Sequence, residues 1–174
     1  MKLKRMRAKQ IVAVIVLLVV ALLIVVPPFL NGGAKMTLSS TTSVNADHLY
    51  VTIGEISAHR TDLSGTSAWQ SVSNMSTVVD LTLANMSETV ALGNLPLGQY
   101  DTVRVRVTNA TVIINGTSQK VQLDSRLFTV PVSFLAQFGA STVITLKVSP
   151  EIQKTTDGVT LKLSFTGVSG NPSP

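Results

Sequence analysis

The chain has 174 residues, 14 Lys and Arg against 9 Asp and Glu, and no cysteine. Its formal charge of +5 is not spread out: Lys2, Lys4, Arg5, Arg7 and Lys9 all precede Ile11, and the remaining nine cations balance the nine acids. That placement marks membrane topology and excludes the clustered basic face that nucleic-acid binding needs; the missing cysteine excludes both disulfide support and a lipidated-cysteine anchor.

Sixteen uninterrupted apolar residues follow, Ile11 to Val26, more than the roughly 7–15 of a secretory signal. The expectation is a basic cytoplasmic tip (1–10), a transmembrane or signal-anchor helix (11–30) and a short joint (31–36). Such a helix places the protein in the plasma membrane as a single-pass chain, N-terminus cytoplasmic and C-terminal domain extracellular. Two other fates compete. Gly32 and Ala34 form a small-x-small pair that a signal peptidase accepts, and a pilin-type leader would be cut near Ala8-Lys9. Pro27-Pro28 ends or kinks the helix early.

From residue 37 to 168 the pattern turns to short alternating runs rich in Val, Ile, Thr and Leu, broken by Gly, Asn, Asp, Ser and Pro, which predicts an all-β ectodomain built as an antiparallel β-sandwich. Leu49, Val51 and Ile53 are apolar at odd positions, whereas Ile56 and Ala58 continue at even ones, so a bulge is expected at Gly54. Trp69 is read as a cover for one end of the core, in preference to a ligand platform. Val79, Leu81 and Leu83, then Val90 and Leu92, predict a pair of antiparallel strands. Leu95-Pro96-Leu97-Gly98-Gln99-Tyr100 predicts a turn whose tyrosine packs its ring and hydrogen-bonds backbone.

The next strand sends Val103, Val105 and Val107 inward and Arg104 and Arg106 outward. It slips phase at Thr108-Asn109, where a bulge is expected to lead into a second sheet. Asn115-Gly116 predicts a type I′ hairpin. Val130-Pro131-Val132 reads as an edge strand and Ser133 to Phe138 as a helical turn. Two clean alternations, Ile144 to Val148 and Val159 to Phe165, close the domain before a disordered tail (169–174).

The strand near Thr37 to Ser40, Tyr50-Val51-Thr52-Ile53 with Ile56 and His59, Trp69, Val79-Asp80-Leu81, the Leu95 to Tyr100 turn with Arg104, Val112 to Gly116, and Val143 to Val148 occur in an order that resembles a family of exported archaeal and bacterial β domains catalogued as a domain of unknown function. Where that family often has an Asp-Ala-Pro step, this chain has Thr42 to Asp47. The resemblance implies a β-sandwich of the transthyretin or immunoglobulin-like kind and membrane or cell-surface placement; it supplies no activity and no functional residues. Its bacterial members are commonly held by a lipidated cysteine, a role the apolar helix would fill here.

No catalytic constellation is found. His48 and His59 are the only imidazoles; Glu55, Ser57 and His59 share strand parity, and Asp47-His48 is at most half a metal site. No cofactor or metal is expected. Asn74, Asn85, Asn109 and Asn115 head Asn-x-Ser/Thr sequons. Arg104 and Arg106, two residues apart, point the same way and are candidates for an anionic glycan or a partner carboxylate, against the plainer reading of a solvated face near Lys147 or Lys162. The expected function is a non-catalytic, membrane-anchored cell-surface protein of adhesion or envelope structure, partnered by membrane lipid and by envelope glycans or other surface proteins. The alternatives are a filament subunit donating Lys35 to Ser43 to its neighbour, and an extracytoplasmic ligand-binding module. The composition points to an archaeal envelope.

Overall fold

The computed structural model describes residues 14–20, 31–155 and 158–170. The basic tip, most of the expected membrane segment, the tip of the turn after Thr155 and the last four residues lie outside the described residues. Residues 14–20 are helical, and no helix of the described residues is long and apolar enough to cross a membrane.

Among the described residues, eleven strands form two sheets. In the first, β1 (Asn31–Ser40) lies between β5 (Ser87–Pro96) and β10 (Ser141–Thr155), antiparallel to β5 and parallel to β10. Beyond β10 come β11 (Gly158–Ser169) and the short β8 (Gln122–Leu123). In the second, β2 (His48–Arg60) pairs along one side with β3 (Trp69–Ser73) and β4 (Thr77–Asp80), and along the other with the long β6 (Gly98–Ile114). The far side of β6 carries β7 (Thr117–Lys120) and β9 (Leu127–Ala136).

The core is what the alternation predicts. Met36, Leu38, Ile144, Leu146 and Leu161 of the first sheet face Leu49, Val51, Ile53, Ile56, Val103, Val105 and Val107 of the second, all buried. Each contributes roughly 1.5–3 kcal/mol by leaving water. The sheets also touch along both margins. A Cβ on Gly93 of β5 would stand 2.2 Å from the Val72 carbonyl oxygen of β3, and one on Gly167 of β11 would stand 2.7 Å from Val132 Cβ of β9. Only a residue without a side chain lets strands of opposite sheets approach so closely.

Several expectations hold in detail. The pairing of β2 with β6 shifts around Gly54, and Asn115 and Gly116 take positive φ angles of 51° and 72° between β6 and β7, the geometry of a type I′ turn. Tyr100 is fully buried and stacks on Phe134 at 5.0 Å, and its hydroxyl donates to the Pro96 carbonyl at 2.8 Å. This bond spans the step from the first sheet to the second, where Gly98 has φ 151°. Pro131 does lie on an edge strand, β9.

Other expectations are corrected. The supposed joint 31–36 belongs to β1, so the sandwich begins at Asn31, and Ser169, placed in the tail, ends β11. The strands around Val79 and Val90 are not partners: β4 joins β2 and β5 joins β1. Leu83 and Leu92 are exposed at 58% and 71%. Leu83 lies past the end of β4, and a register shift opposite Met36/Thr37 leaves Val90 unpaired, so that Val90 and Ala91 are both buried and Leu92 turns out. The slip at Thr108-Asn109 is present, yet β6 stays paired with β2 on both sides of it and never changes sheet. Residues 133 to 136 are strand rather than a helical turn, with Val132, Phe134 and Ala136 buried in alternation.

Candidate functional site

The bulge after Ile53 leaves Glu55, Ser57 and His59 on the outer face of β2 while Ile56 and Ala58 fill the core. Across the sheet, Ser57 lies opposite Arg104 of β6 and Ser71 of β3, and His59 opposite Thr102 and Trp69. The two serines leave a trough between β6 and β3. Into it Arg104 extends, its Cζ 3.7 Å from the centroid of the Trp69 ring, a contact in which the ring quadrupole attracts the cation. Ser57, beneath, is only 7% exposed.

His59 also packs against the indole, its ring centroid 5.1 Å away and tilted by 57°. His59 Nδ1 donates to Asp101 at 2.9 Å, and that hydrogen bond, set against a smaller effect of burial, holds the Asp101 carboxyl below the usual 3.8. Arg106 Nε stands 3.5 Å from Glu55, both half-exposed. Arg104 has no such partner: among the described residues no carboxylate lies within ion-pair distance, and its Nε is buried without a hydrogen bond. The concavity bounded by these side chains, Ser71, Thr66 and Leu127 has a volume of about 200 Å³.

Trp69 therefore does not cover the core. Ala68, at the end of a short 3-10 helix (Gly65–Ala68), fills that role at 0% exposure, and the next residue is turned outward. Lys147 and Lys162, expected near the arginines, stand on β10 and β11 of the other sheet. No local spacing in the sequence joins Trp69 to Arg104; only the order of strands does.

A second histidine–aspartate pair lies on β2. His48 stacks on Tyr50 at 5.3 Å and donates through Nδ1 to Asp80 at 2.8 Å. Asp80 also accepts the Thr82 hydroxyl and the amides of Thr82 and Leu49 at 3.0 and 3.3 Å. Burial pushes the Asp80 carboxyl up, and the hydrogen bonds from Thr82, His48 and the two amides outweigh it, so its pKa falls below 3.8. A lowered folded-state pKa stabilises the fold above the ordinary carboxylate value and loses that contribution as pH falls through the folded one. Wild type is thus expected to lose stability in urea as the pH drops below about 4, and Asp80→Asn to show a shallower acid limb; identical limbs would contradict this role.

Among the described residues no serine or threonine hydroxyl hydrogen-bonds either imidazole, and no group of three His, Cys, Asp or Glu side chains converges. Asp47 accepts the Gly116 amide at 2.8 Å, fixing the β6–β7 turn. All four sequon asparagines are exposed; Asn85 has φ 65°, and Asn74 accepts the Ser71 hydroxyl at 3.0 Å. Asn109 borders an open groove of about 830 Å³ between β6, β7 and β8 that also meets Lys120 and Arg126. The side chains of Asn109, Lys120, Gln122 and Arg126 are exposed there, and no buried polar group is aimed into it.

Two packed sheets with a surface trough and no converging reactive groups among the described residues define an all-β sandwich module. The family model of a domain of unknown function (DUF4382) matches residues 31–165, and the chain belongs to that family. The match begins at the first residue of β1. No curated protein and no solved structure matches the chain.

Proposed function

We propose that this is a non-catalytic, single-pass membrane protein that carries its sandwich on the cell surface for adhesion or envelope structure, with the N-terminus cytoplasmic. One observation carries the reading: five cations and sixteen apolar residues lead into Asn31, the first residue of an interior strand. The domain would then sit directly against the bilayer without a tether. The four exposed sequons suit a glycosylated exterior, and the Leu95 to Tyr100 turn is the feature that marks exported relatives in this reading. The cleaved alternative is disfavoured, because a cut after Ala34 would remove Gly32 and Ala34, both buried, from β1. The filament alternative draws on the place of β1 between β5 and β10, the kind of slot a donated strand fills.

Protease treatment of intact cells, combined with N-terminal sequencing, tests this. The expected result is digestion of a C-terminal tag from outside and an N-terminus at or next to Met1. A protected tag overturns the topology; a mature end near Lys35 moves the assignment to the filament subunit, and one near Lys9 to a pilin.

A further inference from the structure

We propose that the Trp69–Arg104 trough binds the carboxylate of an acidic sugar, a uronate unit of a surface polysaccharide. The inference deepens the envelope-glycan partner proposed above, but its test needs no membrane topology.

The argument starts from the unbalanced charge. Arg106 is offset by Glu55 and His59 is committed to Asp101, whereas Arg104 faces the trough with no counterion and with a desolvated Nε among the described residues. A cation in that condition gains most from an anion placed by hydrogen bonds to the guanidinium. Stacking on Trp69 at 3.7 Å already holds the planar group, so little side-chain freedom remains to be lost on binding.

The surroundings choose the kind of anion. Glu55 stands beside Arg106, which repels a dianionic phosphate and tolerates the single charge of a carboxylate. Ser57, Ser71 and Thr66 border the same space of about 200 Å³, room for about one pyranose ring; the Ser71 hydroxyl, which donates to Asn74, can still accept there. An acidic peptide is less well served. At the trough β2 is paired on both sides, with β3 and β6, so the floor of the site presents a sheet face and no strand edge to a peptide backbone.

Trp69 is the only tryptophan, so its emission reports this site alone. Full-length protein in a non-ionic detergent is titrated with trigalacturonate, with the neutral galactose trisaccharide, with inorganic phosphate and with a glutamate-rich peptide, and calorimetry runs alongside. Trigalacturonate is expected to give saturable heat and a change in emission, while the neutral sugar gives neither. Arg104→Gln should weaken binding roughly tenfold or more, with Arg104→Lys intermediate. Circular dichroism and urea unfolding check that both variants fold; should Arg104→Gln fail to, the lysine variant and Ser71→Phe, which fills the trough, carry the test. Absence of uronate binding by both methods, an equal response to the neutral sugar, an Arg104→Gln variant with unchanged affinity, or tighter binding of phosphate or peptide than of uronate each overturn the proposal.

Discussion

A chain that starts at Thr41 is expected not to fold. Besides the segment before Asn31, it lacks all ten residues of β1, which is interior to its sheet and pairs with β5 on one side and β10 on the other. Ala34, Met36 and Leu38 leave the core with it, each at most 3% exposed in the intact domain. For Met36 and Leu38 alone the lost burial is about 3–6 kcal/mol, and two rows of buried backbone groups lose their partners besides. Domains have about 5–15 kcal/mol in total, so the truncated chain falls near or below the threshold. Near-ultraviolet circular dichroism and urea unfolding read this out, and a synthetic peptide of residues 31–40 should restore a cooperative transition by filling the slot. A truncated chain that unfolds at the same urea midpoint as the intact one would show that β1 is dispensable. Rescue by the peptide also measures how readily the slot takes a strand from outside, on which the filament reading depends.

Gly93→Val is expected to cost about 3 kcal/mol or more. Its Cβ would stand 2.2 Å from the Val72 carbonyl oxygen. The obstacle is backbone, which cannot rotate away, so the β3–β5 margin must open and expose Val72, Val90 and Ala91, all buried at present. Gly65→Ala is the control: no atom lies within 4 Å of its added Cβ, and its φ of 66° is the only strain, for roughly 1 kcal/mol. Urea midpoints compared at equal slope separate the two effects. Equal losses would mean that the margin adjusts and the close approach is incidental.

Much of the sandwich is legible in the sequence because a strand with one buried face writes its period directly. Val103 to Val107, Ile144 to Val148 and Val159 to Phe165 could hardly be read otherwise, and Asn115-Gly116 needs only its two positive φ angles. What could not be read is which strands meet. The runs around Val79 and Val90 look like a hairpin, yet they belong to opposite sheets, and nothing within either run encodes that choice. Asn31-Gly32-Gly33 reads as a joint for a related reason. Glycine is a turn signal in isolation, but at Gly32 a Cβ would meet the Gln137 carbonyl oxygen at 2.6 Å, a constraint set by a residue over a hundred positions away.

The candidate site divides along the same line. The outward direction of Arg104 and Arg106 follows from strand parity alone. That Arg104 crosses Ser57 to reach Trp69 follows from β3 and β6 flanking β2, and without that order Trp69, the partner that gives the arginine its fixed pose, reads only as a cover for one end of the core.

The arrangement of β1 has a mechanical meaning. Tension arriving at Asn31 from the preceding segment runs along the strand axis, across ladders that join β1 to β5 and β10 at once. Such a pull shears the hydrogen bonds together instead of peeling them one by one. If the segment before Asn31 is the anchor proposed above and the outer face of the second sheet holds the proposed ligand, the load between them passes through β1 in shear, against both of its ladders at once.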